Sequence, residues 1–246
     1  MAAEEWQTVV RRKKDKPHAK CKQLPAKPIS SRRVDDDPPL DESRMLALKQ
    51  ELLLDLSRMR SSCASLCTRV MEYALHDVED SADLICLGIG RFATSTTARL
   101  QLILAMHLKE TMRPSQALIY DPFFTSQEMD ICRHFGFELT VENLYGKYEI
   151  QRKTVFFMPH CPYRLYCNVL WKNRDRLRDL SIIGNSFLSY SLRRISIENE
   201  KEDKTDLLRI LAEYVEEYEV YDSSDCVRRE GIWVHMEHAF NDLRQE

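Results

Sequence analysis

The chain has 246 residues, 43% of them hydrophobic, with 36 Lys and Arg against 39 Asp and Glu for a formal net charge of −3. That size fits one domain with an extension, and the near-balance of charge argues against a dedicated nucleic-acid binder. No run of about 18 apolar residues occurs, so no membrane span is expected.

Residues 1–40 differ from the rest. They hold ten basic and six acidic side chains, most of the prolines and few large aliphatics. Such a segment buries too little apolar surface to offset its ordering entropy, which predicts disorder. Its run RRKKDK, Arg11 to Lys16, reads as a solvated basic tail or as a nuclear-import signal. The N-terminus has no apolar signal core. Eight cysteines without a secretory signal imply reduced thiols, hence a cytoplasmic protein, with the nucleus as a second location if the basic run directs import.

From about Asp41 to His76 the periodicity is helical. Leu46, Leu53, Leu56, Met59, Cys63, Leu66, Val70 and Tyr73 recur at threes and fours, and Cys63 and Cys67 share one face. Residues 41–78 are therefore expected to form a helical segment packed on the domain that follows. Protein partners, where there are any, are expected on this helix and the tail.

Residues 79–246 have an alternating texture. ADLICLGIG is a short apolar run ending in glycines, as buried parallel strands do. TARLQLILAMHLKE is an amphipathic helix with Thr96 or Thr97 near its start. QALIYDPFF is a second strand, closed by Asp121-Pro122. TSQEMDICRHFG is a helix that Thr125 or Ser126 can cap and Gly136 can stop. FELTV and KTVFFMP are the third and fourth strands, and YRLYCNVLWKNR is a helix. LSIIGNSF is the fifth strand, KTDLLRILAEYVEEYEVY a late acidic helix, and EHAFNDLR a candidate sixth strand.

Strand–helix alternation predicts an α/β, Rossmann-like, doubly wound and mostly parallel sheet of five or six strands, with helices on both faces. Its expected order is 3-2-1-4-5, and the winding reverses between strands one and four. Ligands of open α/β sheets bind at the carboxyl edge beside that reversal. There the sequence places Gly88 and Gly90 after strand one, Asp121 after strand two, His160 and Cys161 after strand four, and Asn185 after strand five. Gly88, Gly90 and Ala93 match G-x-G-x-x-G/A, a pattern that either cradles a phosphate or serves a glycine turn needed for packing. Asp121 reads as an acceptor for a ribose-like diol or as a turn and cap residue.

His160 and Cys161 admit three readings: a base with its nucleophile, a Cys161-Pro162 thiolate ligand for haem iron, or a purely structural turn leading into the next helix. Haem, a nucleotide and S-adenosylmethionine are the candidate ligands. No zinc-ligand spacing, Walker loop or G-x-S-x-G elbow is apparent.

The segments LGIGRFATSTTARLQLIL, YDPFFTSQE, FFMPHCPYRLYCNVL and IIGNSF, in this order, resemble the signatures of the SRR-like (Sensitivity to Red Light Reduced) domain family. The likeness spans about Ser81 to Ser186. Gly88, Gly90, Gln101, Asp121, Pro122, Pro159, His160, Cys161, Gly184 and Asn185 match its motifs, and the basic tail resembles that of animal members. The resemblance implies a regulatory protein, tied to the circadian clock and to control of haem biosynthesis, with a cytoskeletal link in fungal relatives. It supplies no agreed catalytic residue. A nucleotide- or S-adenosylmethionine-dependent, methyltransferase-like enzyme and a pure interaction module are the competing readings.

Overall fold

The computed structural model describes residues 40–62, 82–140, 142–190, 207–212, 215–220 and 232–236. The basic tail, the helix expected beyond Ser62 with its Cys63 and Cys67, and the strand expected over 237–244 lie outside the described residues.

Five short apolar runs form the parallel body of the sheet: β1 (Asp83–Leu87), β2 (Ala117–Tyr120), β3 (Glu138–Leu139), β4 (Thr154–Met158) and β5 (Leu180–Gly184). Their order, β3-β2-β1-β4-β5, is the doubly wound order expected. Two more strands extend it: β7 (Ile232–Met236) pairs antiparallel with β5, and β6 (Glu216–Val220) pairs antiparallel with β7. Among the described residues the sheet therefore has seven strands, two of which the sequence did not suggest. The late acidic helix is correspondingly shorter than expected. Among the described residues of that stretch Leu207–Leu211 is helical, and Glu-Glu-Tyr-Glu-Val, Glu216–Val220, is β6. Charged and β-favouring residues alternate in that run, a period-two pattern that pairing with β7 selects over a helix.

Helices cover both faces. α1 (Glu42–Ser62), α2 (Thr96–Met112) and α3 (Ser126–His134) share one core with Leu84, Cys86, Ala117, Ile119, Val155, Phe157 and Ile183. α4 (Tyr163–Lys172) and α5 (Leu207–Leu211) share the other with Leu87, Phe156, Met158, Leu180 and Ile182. Alternate residues of β4 thus serve opposite cores, and all five are buried, as an apolar run in a central strand requires. Ser95 caps α2 by accepting from the Ala98 N–H, and Thr125 caps α3. Gly136, at φ +73, takes the chain out of α3 into β3.

The buried stripe of α1 differs from the expected one. Leu48, Leu52 and Leu56 are buried, with Met45 and Met59 packed beside them, whereas Leu46 and Leu53 are half exposed. Two apolar stripes overlap in LALKQELLLDL, and tertiary packing against α2 chooses between them. Arg99 on α2 fixes the choice by pairing with Glu51 and Asp55 of α1. No helix among the described residues is long and apolar enough to cross a membrane.

The β3-to-β4 crossover, over the described residues 142–153, is irregular and contains no helix. One buried side chain anchors it. Asn173, the C-cap of α4, accepts from the Ile150 N–H (3.0 Å) and donates to the Tyr148 and Val169 carbonyls (2.9 Å each). Asn173→Ala removes the side-chain partner of the buried Ile150 amide and Tyr148 carbonyl, while the Val169 carbonyl keeps its backbone donor. The substitution should lower unfolding free energy by about 2–4 kcal/mol, read by urea denaturation, with the slope of the transition unchanged.

Candidate functional site

The chain leaves β1 through Gly88 and Gly90, both left-handed at φ +71 and +80. Gly88 extends the ladder by donating to the Tyr120 carbonyl at 3.2 Å. A Cβ at Gly88 would lie 2.4 Å from Cys161 Sγ, and one at Gly90 would lie 3.3 Å from the Ala98 Cβ of α2. Each glycine is therefore required by a close neighbour as well as by its backbone angle.

Cys161 occupies the space between the two turns. It is 3% exposed, its S–H donates to the Leu87 carbonyl (3.3 Å), and burial pushes its thiol up to about 12. The glycine turn and the His160-Cys161 turn thus touch, with the thiol filling the gap where the sequence suggested two walls of a cleft. His160 is exposed while Cys161 is buried, so the two do not form a base–nucleophile pair.

Two carboxylates from the β2–α3 segment hold the same loop. Asp121 accepts from the Gly90 N–H at 2.7 Å and, through its other oxygen, from the Phe123 N–H at 2.8 Å. Burial raises its pKa, and these two backbone donors oppose the rise. Glu128 is 0% exposed. One oxygen accepts from the Ala93 N–H (2.9 Å); the other accepts from Arg91 Nε (3.0 Å) and the Thr125 N–H (3.0 Å). Thr125 Oγ1 in turn accepts from the Glu128 N–H, completing a capping box. Phe92 and Phe124 meet edge to face at 5.6 Å across the same seam. In a phosphate-cradling loop such amides point at the ligand. Here the amides of Gly90 and Ala93 are bonded to the chain's own carboxylates.

On the other side, Asn185 joins the ends of β4 and β5. Its Oδ1 accepts from the His160 N–H (2.9 Å), its Nδ2 donates to the Tyr190 hydroxyl (2.8 Å), and its N–H donates to the Tyr166 hydroxyl (2.9 Å). The Tyr190 hydroxyl donates to the Cys161 carbonyl and the fully buried Tyr166 hydroxyl to the Met158 carbonyl. A Cβ at Gly184 would meet that phenol at 2.4 Å, so Tyr166 explains the glycine. Glu217 of β6 accepts from the Ser186 hydroxyl and from the Phe187 and Leu188 amides, tying the antiparallel extension to the turn after β5. All six residues singled out in the sequence fall in one connected cluster. Glu128, Tyr166, Tyr190 and Glu217 belong to it as well and were missed. Only Glu128 carried a local signal, the T-x-x-E spacing of its capping box.

Two non-glycine residues near this edge hold left-handed backbone, His160 at φ 54 and Tyr145 at φ 51. Asn185 fixes His160. Asn143 accepts from the Tyr145 N–H (2.8 Å), and Asn168 donates to the Tyr145 carbonyl (2.7 Å). A left-handed conformation costs a residue with a Cβ about 1–2 kcal/mol. Both side chains are nevertheless displayed to solvent, Tyr145 at 65%, and Phe123 beside Asp121 is 57% exposed.

Glu128→Gln replaces one acceptor oxygen by a donor and removes the buried charge that Arg91 Nε meets at 3.0 Å. It should cost about 3–5 kcal/mol of stability, measured by chemical denaturation. Gly88→Ala should destabilise through both the contact with Sγ and the left-handed backbone. Pairing it with Cys161→Ala should recover the steric part and leave about 1 kcal/mol of backbone cost, a non-additivity that a double-mutant cycle reads directly.

Comparison with known proteins gives this cluster its context. The model of the SRR1 domain matches residues 67–245. A mouse SRR1-like protein is 42% identical over 108 residues, covering 42% of this chain and 43% of the mouse protein. A Drosophila SRR1-like protein is 34% identical over 106 residues, 42% of this chain and 38% of its own length. The Arabidopsis protein SENSITIVITY TO RED LIGHT REDUCED 1 is 28% identical over 170 residues, 63% of this chain and 61% of its own length. The chain spans about two-fifths of the two animal relatives and about three-fifths of the plant one. With the family model covering nearly three-quarters of its residues, the chain belongs to the SRR1 domain family.

Proposed function

We propose that the chain is a regulatory protein, cytoplasmic and partly nuclear, that contributes to circadian clock output and to control of haem biosynthesis. We further propose that it recognises a small ligand at the carboxyl edge of its sheet. The regulatory setting rests on the family. One relative is named for its response to red light, and the wider resemblance extends to the clock and to haem homeostasis. The ligand reading rests on His160 and Tyr145. The backbone cost of each is sustained while its side chain faces solvent, as expected where strain serves recognition.

The contacts would differ from those of a phosphate loop. Gly90 and Ala93 have their amides engaged, so the ligand would meet His160, Phe123 and Tyr145 first. For haem the same logic favours the exposed imidazole of His160 over the buried Cys161 thiol, whose raised pKa disfavours the thiolate that iron requires. The half-exposed Leu46, Leu53 and Leu54 on the outer side of α1 support a separate protein contact there.

The test is a thermal-shift panel of nucleotides, S-adenosylmethionine, NAD and haemin, run alongside rescue of clock-reporter rhythms in cells lacking this protein. A ligand present at 100 times its dissociation constant should add about 2.7 kcal/mol of stability. His160→Ala should abolish that gain and the rescue together, while Cys161→Ala should preserve a haemin Soret shift. A shift with S-adenosylmethionine that Asp121→Asn alone removes would favour the enzyme reading instead. No shift with any compound would reject the ligand site, and full rescue by His160→Ala would reject its role in rhythm.

A further inference from the structure

The amino edge of the sheet, opposite the candidate site, carries a second feature. Residues 147–153 read KYEIQRK and residues 171–179 read WKNRDRLRD, seven cations against three carboxylates in a chain of net charge −3. They are distant in sequence, and Asn173 brings them together by bonding Ile150 and Tyr148 to the end of α4. Arg176 adds a second tie, donating to the Gln151 carbonyl at 2.7 Å.

The local carboxylates neutralise this surface incompletely. Lys172 pairs with Glu149 at 2.7 Å, but Arg174–Asp175 and Arg176–Asp179 are stretched to 3.8 Å and Arg152 reaches Asp83 of β1 at 3.7 Å; every one of these side chains except Asp83 is well exposed. Exposed pairs of this kind contribute about 0–1 kcal/mol. In their midst the Trp171 ring is 50% exposed, with the Arg174 guanidinium stacked 5.3 Å from its centroid. Cations at a helix C-terminus offset its dipole, which accounts for Lys172. That effect fades beyond the last turn and does not account for Arg176.

We infer that this surface docks an acidic segment of a partner protein, with an apolar side chain of that segment covering Trp171. An exposed tryptophan stacked by an arginine has the composition of an interface hot spot. Charge decides the class of partner. A short acidic segment samples the field within about 8 Å, the screening length in physiological salt, where cations dominate. A long polyanion also meets the rest of a chain that is net negative, and a single indole provides no row of stacking platforms.

The probe is a short fluorescein-labelled peptide of glutamates flanking a central phenylalanine, followed by fluorescence anisotropy with the full chain. Arg174→Glu should weaken binding about tenfold at low salt, a difference that closes as salt rises. Trp171→Ala should also weaken it about tenfold, and that difference should persist at high salt, because the lost contact is apolar. Both positions are exposed, so the fold is retained. Absence of peptide binding, or equal affinity for wild type and both variants, overturns the inference. So does tighter binding of a single-stranded oligonucleotide or of phosphatidylserine vesicles, which would assign the surface to nucleic acid or to lipid.

Discussion

Glu128 sits where a charge is expensive to place, fully buried beneath the turn that follows β1. Taking a carboxylate out of water costs several kcal/mol unless partners surround it. Here Arg91, the Ala93 amide and Thr125 supply that compensation. The three partners come from two loops more than thirty residues apart, so satisfying one side chain fixes both loops. Asp121 repeats the device one step closer to the sheet, through Gly90 and Phe123. With the loop held this way, Gly88 is pressed against Cys161, and the turn carrying His160 is set by contact with the turn carrying the glycines. The form of the carboxyl edge follows from that one buried carboxylate and its neighbour.

The same observation explains why the glycine pattern was ambiguous in the sequence. A loop that cradles a phosphate and a loop that receives internal carboxylates need the same backbone: left-handed glycines, amides turned to one side, and a helix starting close behind. G-x-G-x-x-A reports that conformation and says nothing about which anion fills it. Only the reach of Asp121 and Glu128 across 31 and 35 residues distinguishes the two. Other features were legible because their causes are local. The β1 and β4 runs are continuously apolar, Thr125 is a capping residue at the start of an amphipathic pattern, and Gly136 stands at a helix end. β6 was not legible. Leu-rich and Glu-rich residues before it favour a helix, and its strand state depends on β7, which follows in the chain. The stripe of α1 was misassigned for a related reason: two leucine faces are available, and α2, some fifty residues away, selects one.

That helix also lies outside the region the family shares. The SRR1 domain match begins at residue 67, yet Leu48, Leu52 and Leu56 complete the core on one face of the sheet. Arg99, within the matched region, reaches out to Glu51 and Asp55. The domain therefore has one face finished by a preceding segment, so a partner or modification acting on α1 acts on the core beneath it. The animal relatives match over little more than a hundred residues, a length that leaves ample room for such additions.

The two edges of the sheet differ in construction. At the carboxyl edge the chain accepts unfavourable backbone at His160 and Tyr145 and fixes it with three asparagines, Asn185, Asn143 and Asn168. These asparagines bond main-chain groups of the two residues, which sets where their exposed side chains leave the backbone. At the amino edge the cations of three exposed ion pairs are long and lie in the open, and one of them, Arg174, stacks on the exposed Trp171 indole. Asn173 and the 143–153 crossover run between the two regions: Tyr145 at one end of that crossover is bonded to Asn168 of α4, and Ile150 at the other end to Asn173, less than two turns further along the same helix. The crossover and α4 are thus bonded at two points, so the turn carrying Tyr145 and the stretch carrying Ile150 are both held by one helix.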